Sequence, residues 1–243
     1  MLHGSGSACN RLLNSILDDC PQLAESMETI EPSVGTELCG TEVPLKHLYF
    51  PTSGVLSLLV ETEGGGTVEV LTVGNEGFVG ISIWLGLAES LEQIVQQGQG
   101  KLVRIPARTF CSEIAGHRRT ERLLKRFTAY SLRFHMQNAV CNRYHNVTQR
   151  MCRWLLSAAD RSHTSDLPFT HTLIAHMLGT RRQTVTETAA SLQKRDIIRH
   201  RRSKLRIVKR GEMEALACPC YQDMKDLYQR LVGCALDRRD SGS

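Results

Sequence analysis

The sequence has no long hydrophobic run, because its apolar stretches are interrupted after at most five residues, as Ser57 interrupts the run from Val55 to Val60. A membrane-spanning helix needs about 18 or more consecutive apolar residues, so none is predicted. The first ten residues lack a basic start followed by an apolar stretch, so no signal peptide is expected. We therefore expect a cytoplasmic protein whose nine cysteines stay reduced, since an odd number without tight spacing does not suggest a disulfide framework.

Basic side chains are scarce in the first 100 residues. Arg11 and Lys46 are the two basic residues there, compared with 13 acidic ones, which gives a net charge of −11. Residues 101–243 hold 28 basic and 12 acidic side chains, a net charge of +16. Because a basic region attracts polyanions, the second part of the chain is predicted to contact nucleic acid or an anionic membrane surface.

Glycine and proline are absent from His117 to Leu167, which predicts one long helix or two nearly continuous helices. Before this stretch, Val55–Glu61 and Thr67–Val73 flank a glycine-rich turn and predict a hairpin. A further strand is expected at Phe78–Leu85, and residues 94–97 and 102–105 are expected to form a second pair. Several short strands of this kind suggest a small barrel or sandwich. Residues 10–30 predict a short helix ahead of it.

Apolar side chains recur along the predicted long helix at three- and four-residue spacing and form a stripe. We expect this stripe to form a dimer seam, because the helix would extend well beyond a barrel of about 80 residues. The alternative is that the stripe packs against the chain's own barrel. The stripe comprises Leu123, Phe127, Tyr130, Phe134 and Cys141.

Residues 170–198 predict two helices joined by a tight turn. Gly179 follows the small residue Ala175 by four positions and precedes Val185 by six. Glycine can end the first helix in a left-handed conformation without steric cost, and Thr180 is expected to cap the second helix. This spacing predicts a helix-turn-helix. The further core positions are Ile174, Leu178 and Leu192.

A basic segment follows the second helix. Two short apolar runs within residues 197–208 flank a basic turn and predict a β-hairpin wing. Residues 181–210 contain 11 basic and two acidic side chains. This density beside a helix-turn-helix favours contact with DNA phosphates.

With this order of features, the chain is similar to bacterial transcription regulators of the Crp–Fnr family. Three segments carry the closer resemblance to one branch of it: Phe50-Pro51-Thr52-Ser53-Gly54, Cys152-Arg153-Trp154-Leu155-Leu156 and Cys218-Pro219-Cys220-Tyr221. The resemblance covers about residues 10–235 and implies an α+β fold. It implies a cyclic-nucleotide-binding-like β-roll sensor at residues 1–115, a dimerisation helix and hinge at 116–160, and a C-terminal winged helix-turn-helix at 161–243.

The resemblance also implies that the second helix of the helix-turn-helix enters the major groove. Arg182 aligns with the arginine of the family's R-E-T-V pattern and is the expected reader of guanine. Gln183 replaces the family's common glutamate. Glu187 stands where well-known members carry a second base-reading arginine, which argues against the family's usual half-site; its alternative is a surface salt bridge to Arg181 or Arg182. The outward residues are Arg181, Arg182, Gln183, Thr186 and Glu187, and the candidate phosphate contacts are Thr170, Thr180, Arg181, Arg202 and Lys204.

The predicted sensor lacks the phosphate cassette that resembles G-E-L followed by R-S-A in cyclic-nucleotide-binding members. The glutamate is absent, and no arginine or lysine occurs between Lys46 and Lys101, so cyclic AMP is not expected to bind. Cys9, Cys20 and Cys39 lie too far apart to suggest an iron–sulfur cluster. The Cys-x-Cys at residues 218–220, with only Cys234 nearby, is a weak metal pattern. No metal and no cofactor are predicted.

The predicted function is a homodimeric, sequence-specific DNA-binding transcription regulator that reads a pseudo-palindromic operator and responds to an unknown effector. Its expected partners are double-stranded DNA and a second copy of the chain, with RNA polymerase as a candidate and no membrane. An enzyme is not expected, because phosphate-binding glycine loops, nucleophile elbows and HExxH patterns are missing. Two alternatives stay open: a cysteine-redox or small-molecule sensor that acts through a protein partner, and a cyclic-nucleotide-responsive regulator.

Overall fold

A computed structural model describes residues 10–201 and 204–237. Cys9 and the predicted wing residues Arg202 and Ser203 lie outside this described part. None of the described helices is both long enough and apolar enough to span a membrane.

Two antiparallel sheets build the N-terminal roll after helix α1 (Arg11–Asp19) and a 3-10 turn at Pro21–Ser26. Three strands form one sheet in the order β1-β7-β3, and four form the other in the order β2-β6-β4-β5. The roll's strands are β1 (Glu28–Ile30), β2 (Glu37–Cys39), β3 (His47–Pro51), β4 (Val55–Glu61), β5 (Thr67–Val73), β6 (Gln93–Gly98) and β7 (Leu102–Pro106).

The predicted hairpin is confirmed, since β4 and β5 pair over the expected residues. The second predicted pair is wrong: β6 pairs with β2 and β4, whereas β7 pairs with β1 and β3. The chain changes sheet between them at a crossover where the carbonyl of Lys101 accepts hydrogen bonds from the backbone amides of residues 52–54. The strand expected at Phe78–Leu85 is largely a short helix, α2 (Ile81–Trp84), since Gly80 turns the backbone at a φ of +123°.

Two helices occupy the stretch without glycine or proline, as predicted. After α3 (Ala107–Ile114) come α4 (Arg118–Tyr144) and α5 (Val147–Ser162). The break between α4 and α5 depends on Asn146, whose side chain accepts the backbone amide of Gln149 while the Gln149 side chain accepts the amide of Asn146. This reciprocal cap starts a new helix without any helix-breaking residue.

The apolar stripe of α4 faces the chain's own core, so the predicted dimer seam is wrong for its residues. Each of its side chains is at most 7% exposed. The ring centroid of Phe127 lies 5.3 Å from that of Phe78 in the roll, and Tyr130 meets Tyr228 of the C-terminal helix edge to face at 5.2 Å. The helix does not project free of the roll, because the roll and the C-terminal helix cover this face. The residues are Leu123, Phe127, Tyr130, Phe134 and Cys141.

A second core holds the C-terminal module together. Apart from Leu59 of the roll, it runs from Met151 on α5 to Tyr221, with a small sheet in the order β8-β10-β9. The chain then returns to the first core, where Met224 and Val232 are buried. Packing therefore groups α5 with the winged helix and the C-terminal helix with the roll, which differs from the predicted boundary at residue 160. The elements are β8 (Asp166–Leu167), α6 (His171–Leu178), α7 (Arg182–Lys194), β9 (Ile198–Arg201), β10 (Lys204–Ile207), α8 (Arg210–Leu216), α9 (Cys220–Tyr228), a π-helical turn at Gln229–Gly233 and α10 (Cys234–Asp237).

A buried carboxylate joins the roll to α5. Glu69 of β5 accepts hydrogen bonds from Trp154 Nε1 at 2.7 Å and Gln97 Nε2 at 3.0 Å. The hydroxyls of Ser57 and Thr72 each donate to it at 2.6 Å. Burial raises the pKa of Glu69, and these donors oppose the shift by stabilising its ionised form.

Replacing Trp154 with Phe tests this junction, because it keeps an aromatic ring beside Phe169 and removes only the indole donor. We expect Trp154→Phe to lower the free energy of unfolding by about 1–3 kcal/mol, the cost of leaving a buried acceptor with one donor fewer. Urea unfolding at a fixed protein concentration measures it.

Trp84→Phe is the matched control, since Trp84 is half-buried and its indole makes no hydrogen bond within the described residues. Equal losses in the two variants would show that the indole of Trp154 contributes nothing specific.

Candidate nucleic-acid interface

The turn between α6 and α7 has the geometry that its sequence predicts. The Thr170 hydroxyl caps α6 by accepting the backbone amide of Leu173 at 3.1 Å. Helix α6 ends at Gly179, which has a left-handed backbone with φ +57° and ψ +47°. The predicted core residues Ile174, Val185 and Leu192 are at most 1% exposed. The two helices are thus fixed by one cap, one glycine and one shared core.

Thr180 does not cap the second helix, contrary to the prediction. The residue that precedes α7 is Arg181, and it makes no side-chain capping bond. Thr180 lies half-buried within the turn, and its backbone amide donates to the carbonyl of Ala175 at 3.0 Å. The turn is one residue longer than expected before the second helix begins, so the hydroxyl falls outside the capping position.

The outward side of α7 presents all five residues that were predicted to face DNA bases. All are exposed, and two of them pair with each other: Gln183 Nε2 donates to Glu187 Oε1 at 3.0 Å. Within the described chain Glu187 forms no ion pair with an arginine, so the alternative salt bridge is absent. These exposed residues are Arg181, Arg182, Gln183, Thr186 and Glu187.

Two stacked histidines lie beside this face and contact it through Thr186. The rings of His171 on α6 and His200 on β9 lie 4.5 Å apart, and His171 Nδ1 lies 3.1 Å from the Thr186 hydroxyl. Burial lowers the pKa of His171, and the neighbouring His200 and Arg182 lower it further. His171 thus connects α6 to α7 through its contact with Thr186 and to the wing through its ring stack with His200.

The wing consists of the antiparallel strands β9 and β10, in which Lys204 lies opposite Arg201. Arg199 is held by Asp196 at 3.4 Å, and Arg206 forms a two-pronged pair with Asp166. Arg201 and Lys204 are exposed and are bound to no carboxylate among the described residues. A groove of about 360 Å³ runs between these basic side chains.

Most other cations of the module are neutralised within the chain. Arg195 and Lys209 lie near Glu212, at 3.9 and 3.2 Å, and Arg210 binds Asp160 at 2.7 Å. Among the described residues of the segment 181–210, the cations left without an ion pair are Arg181, Arg182, Lys194, Arg201 and Lys204. The sequence did not single out Lys194 and Arg201, because it does not show which basic residues have carboxylate partners.

Comparison with known proteins agrees with this geometry. Residues 149–216 match the Crp-like helix-turn-helix domain. The chain carries a Crp-like helix-turn-helix domain. The resemblance to Crp–Fnr transcription regulators is thereby confirmed, as is the predicted order of sheet domain, long helix and C-terminal helix-turn-helix. No curated protein matches the chain in sequence.

Solved structures share the fold over most of the chain. FixK2 from Bradyrhizobium japonicum has a TM-score of 0.68 at 13% identity, with 79% of this chain and 98% of FixK2 covered. The c-di-GMP-responsive global regulator CLP of Xanthomonas campestris has a TM-score of 0.63 at 15% identity, covering 78% and 98%. A CRP/FNR-family transcriptional regulator from Thermus thermophilus has a TM-score of 0.61 at 20% identity, also covering 78% and 98%.

The glycine of the Crp-like turn gives a direct test of its geometry. We expect Gly179→Ala to destabilise the protein by about 1–2 kcal/mol, because an L-residue is strained in the left-handed conformation. A Cβ there would touch Val68 at an ordinary contact distance of 3.4 Å, so the expected loss comes from the backbone conformation. Thermal or urea unfolding measures the loss.

Gly211→Ala is the control. Gly211 lies in α8 with no positive φ and with open space around its Cβ position, so alanine should be neutral or slightly stabilising there. A Gly179→Ala variant as stable as this control would contradict the assigned role of the turn.

Proposed function

We propose that the chain is a homodimeric, sequence-specific transcription regulator that reads a pseudo-palindromic DNA operator through α7. The observation that carries this proposal is the pattern of ion pairing. Among the described residues of the segment 181–210, the cations without a carboxylate partner lie at or just before α7 and on the wing, while the other basic residues of that segment have one. Unpaired arginines and lysines are the groups that contact phosphates and base edges.

Arg182 is the proposed base reader, since it lies in the first turn of α7 and its guanidinium forms no ion pair with any residue that the structure describes. A guanidinium can donate two hydrogen bonds to guanine O6 and N7. Gln183 and Glu187 are the proposed second reading unit. In the free protein, the Gln183 amide already donates a hydrogen bond to the Glu187 carboxylate, so this donor is not available to a base. The pair would therefore present an acceptor-rich edge, which suits the amino groups of adenine or cytosine.

The proposed phosphate contacts lie on both sides of this helix. Thr170 is exposed at the start of α6, and Arg181 precedes α7. Lys204 is exposed on the wing, with Arg201 beside it. Thr180 and Arg202 remain proposed contacts from the sequence, the first half-buried in the turn and the second outside the described residues. Such contacts position a protein on DNA without reading its sequence.

The proposed homodimer uses the exposed side of α4, opposite the predicted stripe. Leu132 is 56% exposed, Met136 53% and Val140 43%. Ala129, Leu132, Met136 and Ala139 follow each other at alternating spacings of three and four residues, which is the repeat of a two-stranded coiled coil. Burial of this seam against a second copy would remove a row of apolar side chains from water. Two-fold symmetry then predicts half-sites about one helical turn apart.

Selection of binding sites from random DNA tests the reading role of Arg182. The wild-type chain should enrich a two-fold symmetric sequence, and its affinity should fall steeply with salt, by about 0.9 log units per log unit of salt for each phosphate contact. We expect Arg182→Ala to weaken binding by about 1–3 kcal/mol, or roughly 5- to 150-fold, and to flatten one base position per half-site.

Arg195→Ala is the matched control. Arg195 is an exposed arginine that directly follows α7, but its guanidinium lies near the carboxylate of Glu212. It should keep the wild-type preference at every base position. An unchanged preference in Arg182→Ala would refute the proposed reading of guanine by this residue.

Sedimentation velocity tests the proposed seam. We expect Leu132→Glu to convert the dimer to monomers, because two carboxylates would be buried against each other at the centre of the seam. Leu85→Glu is the control, since Leu85 is equally exposed, at 62%, but lies on the roll. A Leu132→Glu protein that sediments as a dimer would show that the copies associate elsewhere.

A further inference from the structure

Four potential metal ligands meet where the two cores join. Cys141 lies in the last turn of α4 and His145 follows that helix directly. Cys218 precedes α9 and Cys220 is its first residue. The three cysteines are buried and the histidine is half-buried. Their sulfur and nitrogen atoms all lie within 4.8 Å of one another.

The spacing of these atoms suits a single tetrahedral ion. Zinc binds sulfur at about 2.3 Å and imidazole nitrogen at about 2.0–2.1 Å, so tetrahedral ligand atoms are separated by roughly 3.5–3.8 Å. Cys141 Sγ lies 4.0 Å from Cys218 Sγ, and Cys220 Sγ lies 3.3 Å from His145 Nε2. These two distances bracket the expected value, so only small side-chain movements would be needed. An iron–sulfur cluster would need its ligands further apart, because several irons would have to fit between them.

Polar and charged groups lie close to the sulfurs. Gln137 Nε2 lies 2.8 Å from Cys220 Sγ and 3.8 Å from Cys141 Sγ, and therefore points its amide donor at both sulfurs. Arg153 lies close enough to interact electrostatically with all three sulfurs. Three thiolates and one divalent cation leave a net charge of −1, which the nearby arginine offsets. Donors and charges of this kind commonly surround metal ligands.

We propose that Cys141, His145, Cys218 and Cys220 form a closed structural site for a zinc-class divalent cation. Thiolate and imidazole ligands select such an ion over magnesium or calcium, which prefer oxygen. Cys220 also lines a cavity of about 420 Å³ between α5 and α9, which would give the ion a route to the site.

Such a site would fasten the two ends of the Crp-like domain. Its ligands come from just before α5 and from just after α8, so they flank the matched residues 149–216 on both sides. One ion would tie the end of α4 to the start of the C-terminal helix that returns to the first core. Loss of the ion would free the Crp-like domain to move relative to α4. This inference rests on the cluster alone and does not depend on the proposed operator.

Elemental analysis of the full chain, purified under reducing conditions from zinc-supplemented cells, tests the site. We expect about one zinc per chain, as a closed site requires. Replacement by cobalt should give the visible absorption of tetrahedral Co²⁺ together with thiolate-to-metal charge transfer. Cys218→Ser and Cys220→Ser should lose the metal, whereas Cys234→Ser, an exposed cysteine of the same C-terminal helix, should keep it.

A second pair of variants guards against loss of metal through misfolding. His145→Cys should retain zinc as a four-thiolate site, while His145→Ala should bind it at least about 10-fold more weakly. A chelator should lower the melting temperature of the wild-type protein and leave that of Cys220→Ser unchanged. Reduced protein that binds no zinc, or equal zinc in wild type and Cys220→Ser, would overturn the proposal. A Cys141–Cys218 disulfide in protein purified without reductant from zinc-supplemented cells would also overturn it, in favour of a redox pair.

Discussion

The hydrogen bond from Trp154 to the buried carboxylate of Glu69 is the interaction on which the arrangement of the two cores depends. Glu69 lies on a strand of the roll, and Trp154 lies on the helix that opens the C-terminal module. A carboxylate in the interior is costly unless its oxygens accept hydrogen bonds. Here the roll supplies three donors and the module supplies the fourth, so the carboxylate is fully satisfied only when the two cores are docked.

Other contacts reinforce the same junction. Arg161 of α5 binds Glu76 in the turn after β5 at 2.7 Å, and both side chains are largely buried. The Asn75 side chain lies 2.8 Å from His163 Nε2 at the end of α5. These polar contacts have defined distances and directions, and apolar packing alone would not fix the orientation of the module as strictly. The outward face of α7 is held in place through this junction.

The long helix α4 has two apolar faces, one buried in the chain's own core and one exposed. Its aromatic side chains continue the phenylalanine cluster of the roll, and Gly77 is the residue that leaves room for the ring of Phe127. Because this face packs into the chain's own core, the apolar residues that remain exposed lie on the opposite side, among them Leu132 and Met136. Cys141, near the end of the helix, belongs to neither of these faces. It lies in a separate small cluster of three thiols between the two cores.

The sequence by itself determined the local elements: the β4–β5 hairpin, the two helices of the stretch without glycine or proline, and the turn at Gly179. Each depends on the preferences of neighbouring residues, which a linear pattern records. The tertiary structure alone decided which face of α4 is buried, which arginines are neutralised, and that Cys141 meets Cys218. Those outcomes join residues far apart in the chain, such as Arg210 with Asp160, and no spacing rule specifies them. Thr180 shows that even a local prediction can fail. Helix α7 begins one residue later than expected, so Arg181 and not Thr180 occupies the capping position.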